Sequence, residues 1–390
     1  MRSVVITSAK RTPIGRFLGA FKDISAAELG IAVVKETINS AGIKGNNVDE
    51  LIFGNARQAG SGPNIARQIA YKSGIPETAP SFTVNKACAS SLKAIVLGYQ
   101  AIVLGDADVV IAGGTESMTR LPFLLDKMRE GYRLGNAPVL DAMYRDGFIC
   151  PLCGDAMGKT AENLAEKYKI SRNEQDIYAA LSQNRCENAR RENKFIDEIV
   201  PVTLSGKSAS IIDKDEHPRD GVTVEALSKL PPVFKENGTV HAGNSSGITD
   251  GAAAVLLMSE EKAKSLGQKP MARITSYASV GVEPRYMGIG PVPAIKKLEK
   301  KNGIKVSDYD LIELNEAFAA QVIACHKELN FDMNRTNVNG GAIALGHPIG
   351  ATGARIVVTL LHEMVRRDVK KGLATLCVSG GLGMAVSFER

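Results

Sequence analysis

The sequence predicts an α/β protein of two duplicated halves, stacked as a layered sandwich of sheets and helices, with a loop domain inserted into the first half. Three observations point there. Strand-like and helix-like patterns alternate along the chain. A strand–helix unit of about 120 residues occurs twice. One copy is interrupted by an excursion that the other lacks.

Taken in order, the chain opens on MRSVVITSAKRTP, an apolar strand with no basic leader. Neither a signal peptide nor an uninterrupted membrane-spanning stretch is expected, which favours a cytoplasmic protein without a membrane partner. Residues 34–56 then parallel residues 295–317: Gly42-Ile43-Lys44 matches Gly303-Ile304-Lys305, Leu51-Ile52 matches Leu311-Ile312, and Asn55 falls opposite Asn315. Each copy reads as a helix, a glycine turn, a short apolar strand and a loop carrying Asn. Val84-Asn85 precedes one helix and Val338-Asn339 another. The strand DVVIAGG, 108–114, corresponds to LATLCVSGG, 373–381. After Gly381 the second copy runs directly into GMAVSFE, whereas the matching GAAAVLLM of the first copy begins only at Gly251. The expected organisation is therefore 1–118 plus 247–269 as the first half, 119–246 as the insert, and 270–390 as the second half.

Composition narrows the function. Aromatic residues make up 5% of the chain, with no tryptophan, so stacking on nucleic acid has little material. A formal charge of +6 without a basic run suits small anionic ligands better than a polynucleotide. The insert carries 18 Lys and Arg against 19 Asp and Glu, so any anion there is held by local groups. Six cysteines without a leader indicate free thiols in a reducing compartment. Cys150 and Cys153 form the one C-x-x-C pair; with no second pair and no His pair at ligand spacing, no metal site is expected.

Four stretches carry chemistry. In NKACASSLKAIVLGYQAIVLG, Leu92, Ile95, Val96, Ile102 and Val103 share a helical face, so Cys88 stands at or just before a helix start. Backbone N–H groups there lower a thiol's pKa, although a small packing residue reads equally well. In NVNGGAIALGHPIGATGAR, His347 lies in a glycine-dense loop pinned by Pro348, a better acid–base setting than those of His217, His241, His326 or His362. NEAFAAQ puts Asn315 after a strand, either orienting a ligand or capping a helix. CVSGGLGMA puts Cys377 at the carboxyl end of a strand, where open α/β sheets bind ligands. It is no phosphate loop, lacking the lysine and opening no helix.

Together these four motifs resemble the thiolase family in order and spacing, and SAKRTPIGRF, AGNSSGITDGAA, YMGIGPVPA and, in the insert, MGKTAENLA extend the likeness over the whole chain. It is most similar to the short-chain, biosynthetic branch. The resemblance implies Claisen condensation of two acetyl-CoA to acetoacetyl-CoA and CoA, with CoA thioesters as substrates and no cofactor. It assigns Cys88 as the acyl-accepting nucleophile, His347 as the group that takes its proton, and Cys377 as the acid/base on the α-carbon. Asn315, through a water, would join His347 on the enolate oxygen, and the backbone N–H groups of Cys88 and Ser379 would form a second oxyanion hole. Arg219, Phe234, Ala242, Ser246, Ile248, Ala317 and Phe318 would line the CoA path, with Met157 and Met287 around the acyl group or merely filling core. A homo-oligomer, dimer or tetramer, is implied, and oxidation that joins Cys88 to Cys377 would leave a crosslinked peptide.

The chain departs from the family at Ala156, Ala226 and Ser379, where His, Ser and Gly are usual. Ser379 keeps its N–H provided its backbone avoids positive φ. A degradative 3-ketoacyl-CoA thiolase, a β-ketoacyl synthase, a Cys–His hydrolase and a non-catalytic acyl-CoA-binding protein are the competing readings. The synthase lacks its second His, and the hydrolase leaves Cys377 unexplained.

Overall fold

The computed structural model describes residues 2–204 and 210–390. The first half runs β1 (Val4–Arg11), β2 (Gly15–Arg16), α1 (Ala26–Ser40), β3 (Glu50–Gly54), α2 (Ile65–Lys72), β4 (Ser81–Val84), α3 (Ser90–Leu104) and β5 (Val109–Ser117). An excursion follows, with hairpin β6 (Phe123–Leu124) and β7 (Leu140–Asp141), α4 (Met157–Lys167), α5 (Arg172–Arg191), β8 (Val202–Leu204), β9 (Ser210–Ile212) and α6 (Val224–Ser228). The chain returns as β10 (Thr249–Ser259) and α7 (Glu260–Ser265). The second half is β11 (Ala272–Gly281), α8 (Pro291–Asn302), β12 (Leu311–Leu314), α9 (Ala319–Leu329), α10 (Ala342–Leu345), α11 (Ile349–Arg367), β13 (Lys371–Val378) and β14 (Leu382–Glu389).

The strand order β12-β13-β14-β11-β1-β10-β5-β3-β4 contains the duplication. Each half repeats one pattern outward from the β1–β11 seam, so β10 answers β14, β5 answers β13 and β3 answers β12. The counterpart of β4 shrinks to a single bridge between Ile312 and Thr336. Period-two alternation sorts the side chains onto two faces. Val110, Ala112, Ala253, Val255 and Leu257 face a central core with α3 and α11, while Val109, Ile111, Ala254, Leu256 and Met258 face α1 and α2. On the second half, Leu373 and Ala385 face α8 and α9, whereas Ala374, Leu376 and Val386 join the central core. The layers are thus helix, sheet, paired central helices, sheet, helix.

Pairing corrects one sequence-based correspondence. Ile52 pairs with Ala112 and Ile312 with Leu373, while Gly251 pairs with Glu116 and Gly383 with Cys377. Gly114 therefore answers Thr375 rather than Gly381, and Glu116 is the counterpart of Cys377. The two glycine pairs do different work. A Cβ on Gly114 would meet the Gly350 carbonyl at 2.1 Å, so this glycine admits the start of α11 against β5. Gly380 and Gly381, at φ +83° and +82°, make the left-handed turn between β13 and β14.

A second correction concerns hydropathy. The stretch Ala87–Leu104 is long and apolar enough to cross a membrane by composition. Its apolarity is explained by packing: Leu92, Ile95, Val96 and Ile102 of α3 are fully buried in the central core. The insert is tied back by Arg11, buried on β1, which binds Glu198 at 2.6 Å and Asp215 at 2.6 and 2.9 Å. Removing one partner of such a buried group costs about 3–5 kcal/mol.

Candidate active site

Cys88 sits in the short link between β4 and α3. Asn85 shapes that link, accepting the Ala87 N–H at 3.0 Å and donating to the Ala56 carbonyl at 3.1 Å. Ala87 is left-handed at φ +45°, a strained conformation for a residue with a Cβ. It turns Cys88 out just ahead of Ala89, the N-cap of α3. The backbone N–H groups of Ser379 and of Cys88 itself donate toward the thiol sulfur. Burial nevertheless pushes the Cys88 thiol up; the two N–H groups and the Arg57 cation oppose that shift, and Glu116 adds to it. The backbone N–H groups act in the expected direction, but the net shift is upward. Desolvation of the thiolate outweighs the backbone dipoles.

His347 precedes α11, its N–H bonded to the Gly247 carbonyl at 3.0 Å. Its Nδ1 lies 2.6 Å from Thr352 Oγ1, whose own hydroxyl reaches the Pro348 carbonyl at 3.0 Å. A hydroxyl that donates to that carbonyl accepts from Nδ1–H, which leaves the lone pair on Nε2. Nε2 is buried with no partner among the described residues. Burial lowers the His347 pKa to about 3, helped by Arg355 and Arg57. The resting pair is thus a neutral thiol and a neutral imidazole.

Asn315 follows β12 and is fully buried, and neither its amide oxygen nor its nitrogen has a partner among the described residues. It is no helix cap, because α9 starts at Ala319 after Phe318. Cys377 lies one residue from the end of β13, and its thiol is pushed well up, first by burial and then by the nearby Cys88 and Cys325 thiols. Ser379 is not among the residues with positive φ, so the left-handed positions fall on the glycines after it.

Most of the other expected residues gather round these groups. Met157, Met287, Ala317, Phe234 and Phe318 pack in one cluster with Cys377, and Ile248 packs with Cys88. The Phe234 and Phe318 rings meet edge to face, 6.3 Å apart. Ser246 donates its N–H to the Ala317 carbonyl at 3.0 Å. Ala242 is exposed at a short 3₁₀ turn, and Arg219 is exposed with its backbone N–H on Gln183. Ala156 caps α4 without a side-chain bond, and Ala226 is exposed. Cys150 and Cys153 occupy a tight turn closed by the Cys150 N–H on the Asp155 carbonyl, and no metal-holding cluster occurs among the described residues.

The thiolase N-terminal domain matches residues 4–261 and the thiolase C-terminal domain residues 268–390. The chain belongs to the thiolase family. It is 52% identical over 392 residues to an acetyl-CoA acetyltransferase of Pseudomonas aeruginosa, covering all of both chains. The Bacillus anthracis acetyl-CoA acetyltransferase superposes with a TM-score of 0.98 at 45% identity, over 100% of this chain and 99% of that one. Human mitochondrial 3-ketoacyl-CoA thiolase in complex with CoA gives 0.95 at 42% identity, over 100% and 98%.

Four residues of this thiolase were missed in the sequence. Glu316 is buried and accepts from Tyr178, Ser182, Asn337 and the Ile343 N–H, between 2.6 and 3.1 Å, which fixes the loop ahead of His347. Its place beside Asn315 was a usable signal. Thr352, one helical turn after Pro348, was another. Glu116 accepts from Asn55, Ala56, Arg57 and Gly350 between 2.7 and 3.1 Å, and burial raises its pKa to about 7. Arg57 gave no signal beyond a charge in a loop of small residues.

Proposed function

We propose that this thiolase is an acetyl-CoA C-acetyltransferase, which condenses two acetyl-CoA to acetoacetyl-CoA and CoA and runs the reverse cleavage. The observation that carries the reading is the 52% identity over the full chain to an acetyl-CoA acetyltransferase, and two thiols from opposite halves fit it, Cys88 ahead of α3 and Cys377 near the end of β13. One thiol makes an exchangeable thioester while the other moves a proton on carbon.

In the proposed mechanism Cys88 Sγ attacks the thioester carbon of the first acetyl-CoA. His347 Nε2 takes the thiol proton and passes it to the departing CoA sulfur, leaving acetyl-Cys88. The N–H groups of Cys88 and Ser379, which already point at the sulfur, hold the acyl oxygen. Cys377 gives up its thiol proton to solvent and, as the thiolate, takes an α-proton from the second acetyl-CoA; the carbanion attacks acetyl-Cys88, and the Cys88 thiolate it expels takes a proton back from solvent. Asn315 and His347 would steady the enolate oxygen. For that step Nε2 must carry hydrogen, and a turn of the Thr352 hydroxyl from Pro348 to Nδ1 supports the second tautomer.

The Met157, Met287 and Phe318 side chains beside Cys377 favour a short acyl group over the longer chains of a degradative thiolase. Phe234, Ala242, Ser246, Ile248 and Ala317 are the proposed pantetheine path, with Arg219 toward the nucleotide. A homo-oligomer is also proposed, since Phe82 is exposed on edge strand β4 and Phe123, Met128 and Leu134 are exposed on or between β6 and β7. The deciding experiment is CoA-dependent cleavage of acetoacetyl-CoA beside a longer 3-ketoacyl-CoA. Cys88→Ala and Cys377→Ala should each abolish it. Activity surviving in both would overturn the mechanism, and preference for the longer substrate would overturn the chain-length assignment.

A further inference from the structure

Arg57 is a mostly buried cation in no ion pair among the described residues. It follows β3, is 8% exposed, and its Nε has no hydrogen-bond partner among the described residues. Glu116, the neighbouring carboxylate, accepts the Arg57 backbone N–H at 3.1 Å rather than the guanidinium, and its remaining bonds go to Asn55, Ala56 and Gly350. The guanidinium lies under the π-helical turn Tyr144–Phe148 of the insert. A Cβ on Gly147 would stand 2.5 Å from Nε, so only glycine leaves room for it. The preceding residue, Ala56, packs in the same cluster as Cys88. Arg57 opposes the effect of burial on Glu116, and an anion forming nearby would be favoured by the same cation.

We propose that Arg57 is an electrostatic residue of the acyl transfer, its guanidinium stabilising the negative charge that develops on Cys88 as the thiol proton leaves for His347. This rests on Cys88 being the nucleophile. The charged and titratable groups around that sulfur are Arg57 on the loop after β3, Glu116 on β5 and Cys377 on β13, and Arg57 also bears on His347 ahead of α11. Among these, Arg57 is the permanent cation. It discourages a proton from resting on His347, which keeps the imidazole neutral, and it favours the negative charge on Cys88, so burial and not Arg57 keeps the resting thiol protonated.

The test compares full-length wild type with Arg57→Lys, Arg57→Leu and Arg57→Gln. Alkylation of Cys88 by iodoacetamide is followed by peptide mass spectrometry between about pH 6 and pH 10, with thermal unfolding as the check on folding. Arg57→Leu should slow alkylation about three- to tenfold near neutral pH and move the pH midpoint upward. Arg57→Lys should stay within about twofold of wild type. In turnover, the neutral variants should lose kcat with little change in KM. An unchanged midpoint in a folded neutral variant overturns the proposal, with Arg57→Gln carrying the comparison if Arg57→Leu does not fold. Arg57→Lys falling as far as Arg57→Leu also overturns it, because shape and not charge would then matter. Failure of wild-type Cys88 to become acetylated by acetyl-CoA would instead sink the proposed function, since alkylation reports on the thiol without turnover.

Discussion

Acidification should spare His347. An ordinary imidazole, with pKa 6.5, is about 97% protonated at pH 5, whereas one lowered to about 3 is only about 1% protonated. The cause is burial, with Arg355 and Arg57 opposing a third positive charge. If His347 is the base toward Cys88, kcat/KM for acetoacetyl-CoA cleavage should show no limb from it between about pH 5 and pH 8. Glu116 is the confounding group, because its pKa of about 7 falls inside that window. The assay therefore pairs the wild-type profile with that of Glu116→Gln, which removes the titration. Any acid limb near neutrality should vanish in the variant, leaving a flat profile down to about pH 5, at whatever absolute rate the variant retains. A limb near 6.5 that persists in Glu116→Gln would show His347 titrating normally, and the neutral thiol–imidazole resting pair would be wrong.

Two further outcomes follow from named contacts. Thr352→Val removes the hydroxyl that holds Nδ1, so kcat should fall about tenfold or more while KM for CoA moves little; steady-state kinetics would expose an unchanged kcat as a refutation. Glu313, buried beside Arg355 at 3.4 Å, has its pKa raised from 4.5 to about 8, chiefly by burial. The folded state then binds the extra proton between those values, so its contribution to stability falls as pH rises, by at most about 1.4 kcal/mol per pH unit. Glu313→Gln imitates the protonated form and should be nearly neutral at about pH 6, flattening the wild-type slope; a loss of about 3 kcal/mol or more in chemical denaturation would mean that an ionised pair had been broken.

The parts of the fold written locally were readable. The 34–56 and 295–317 repeats gave α1 with β3 and α8 with β12, because a helix, its glycine or polar stop and the next strand are neighbours in the chain. The element ends on which Cys88, His347, Asn315 and Cys377 stand were readable because each lies in a short motif. What could not be read depends on partners far apart in sequence. The Glu116 contact with Gly350 spans 234 residues, and nothing near either position announces it. The misplaced glycine pairs failed for a related reason. Gly-Gly looks alike whether it admits a crossing helix or makes a turn, and only the strand register separates the two. The net direction of the Cys88 shift was not readable, because a helix start is visible in sequence while the desolvation of a half-buried thiol is not.

The corrected register also explains how two copies of one unit came to do different work. In the first half Asn55 donates to Glu116 at 2.7 Å, leaving only its own Oδ1 unpaired among the described residues, and that carboxyl, with three further N–H donors, is a structural knot. In the second half the equivalent positions are Asn315 and Cys377. A thiol accepts poorly where a carboxylate accepts well, so the Asn315 amide keeps both its hydrogen-bonding ends unpaired. The two strand ends also reach across the molecule in opposite directions. Glu116 grips the Gly350 N–H at the start of α11, the helix that follows His347, at 2.8 Å. The Ser379 N–H reaches the sulfur of Cys88 at the start of α3. Each half therefore positions the reactive group of the other. The first half does so with a saturated carboxyl that is free to be structural, and the second with groups left unsatisfied, which is what a substrate oxygen requires. On this argument Cys377→Glu should not restore a base: it would offer Asn315 an acceptor, tie a second knot like the first, and leave a folded protein whose Cys88 is still alkylated but which no longer forms the carbon–carbon bond.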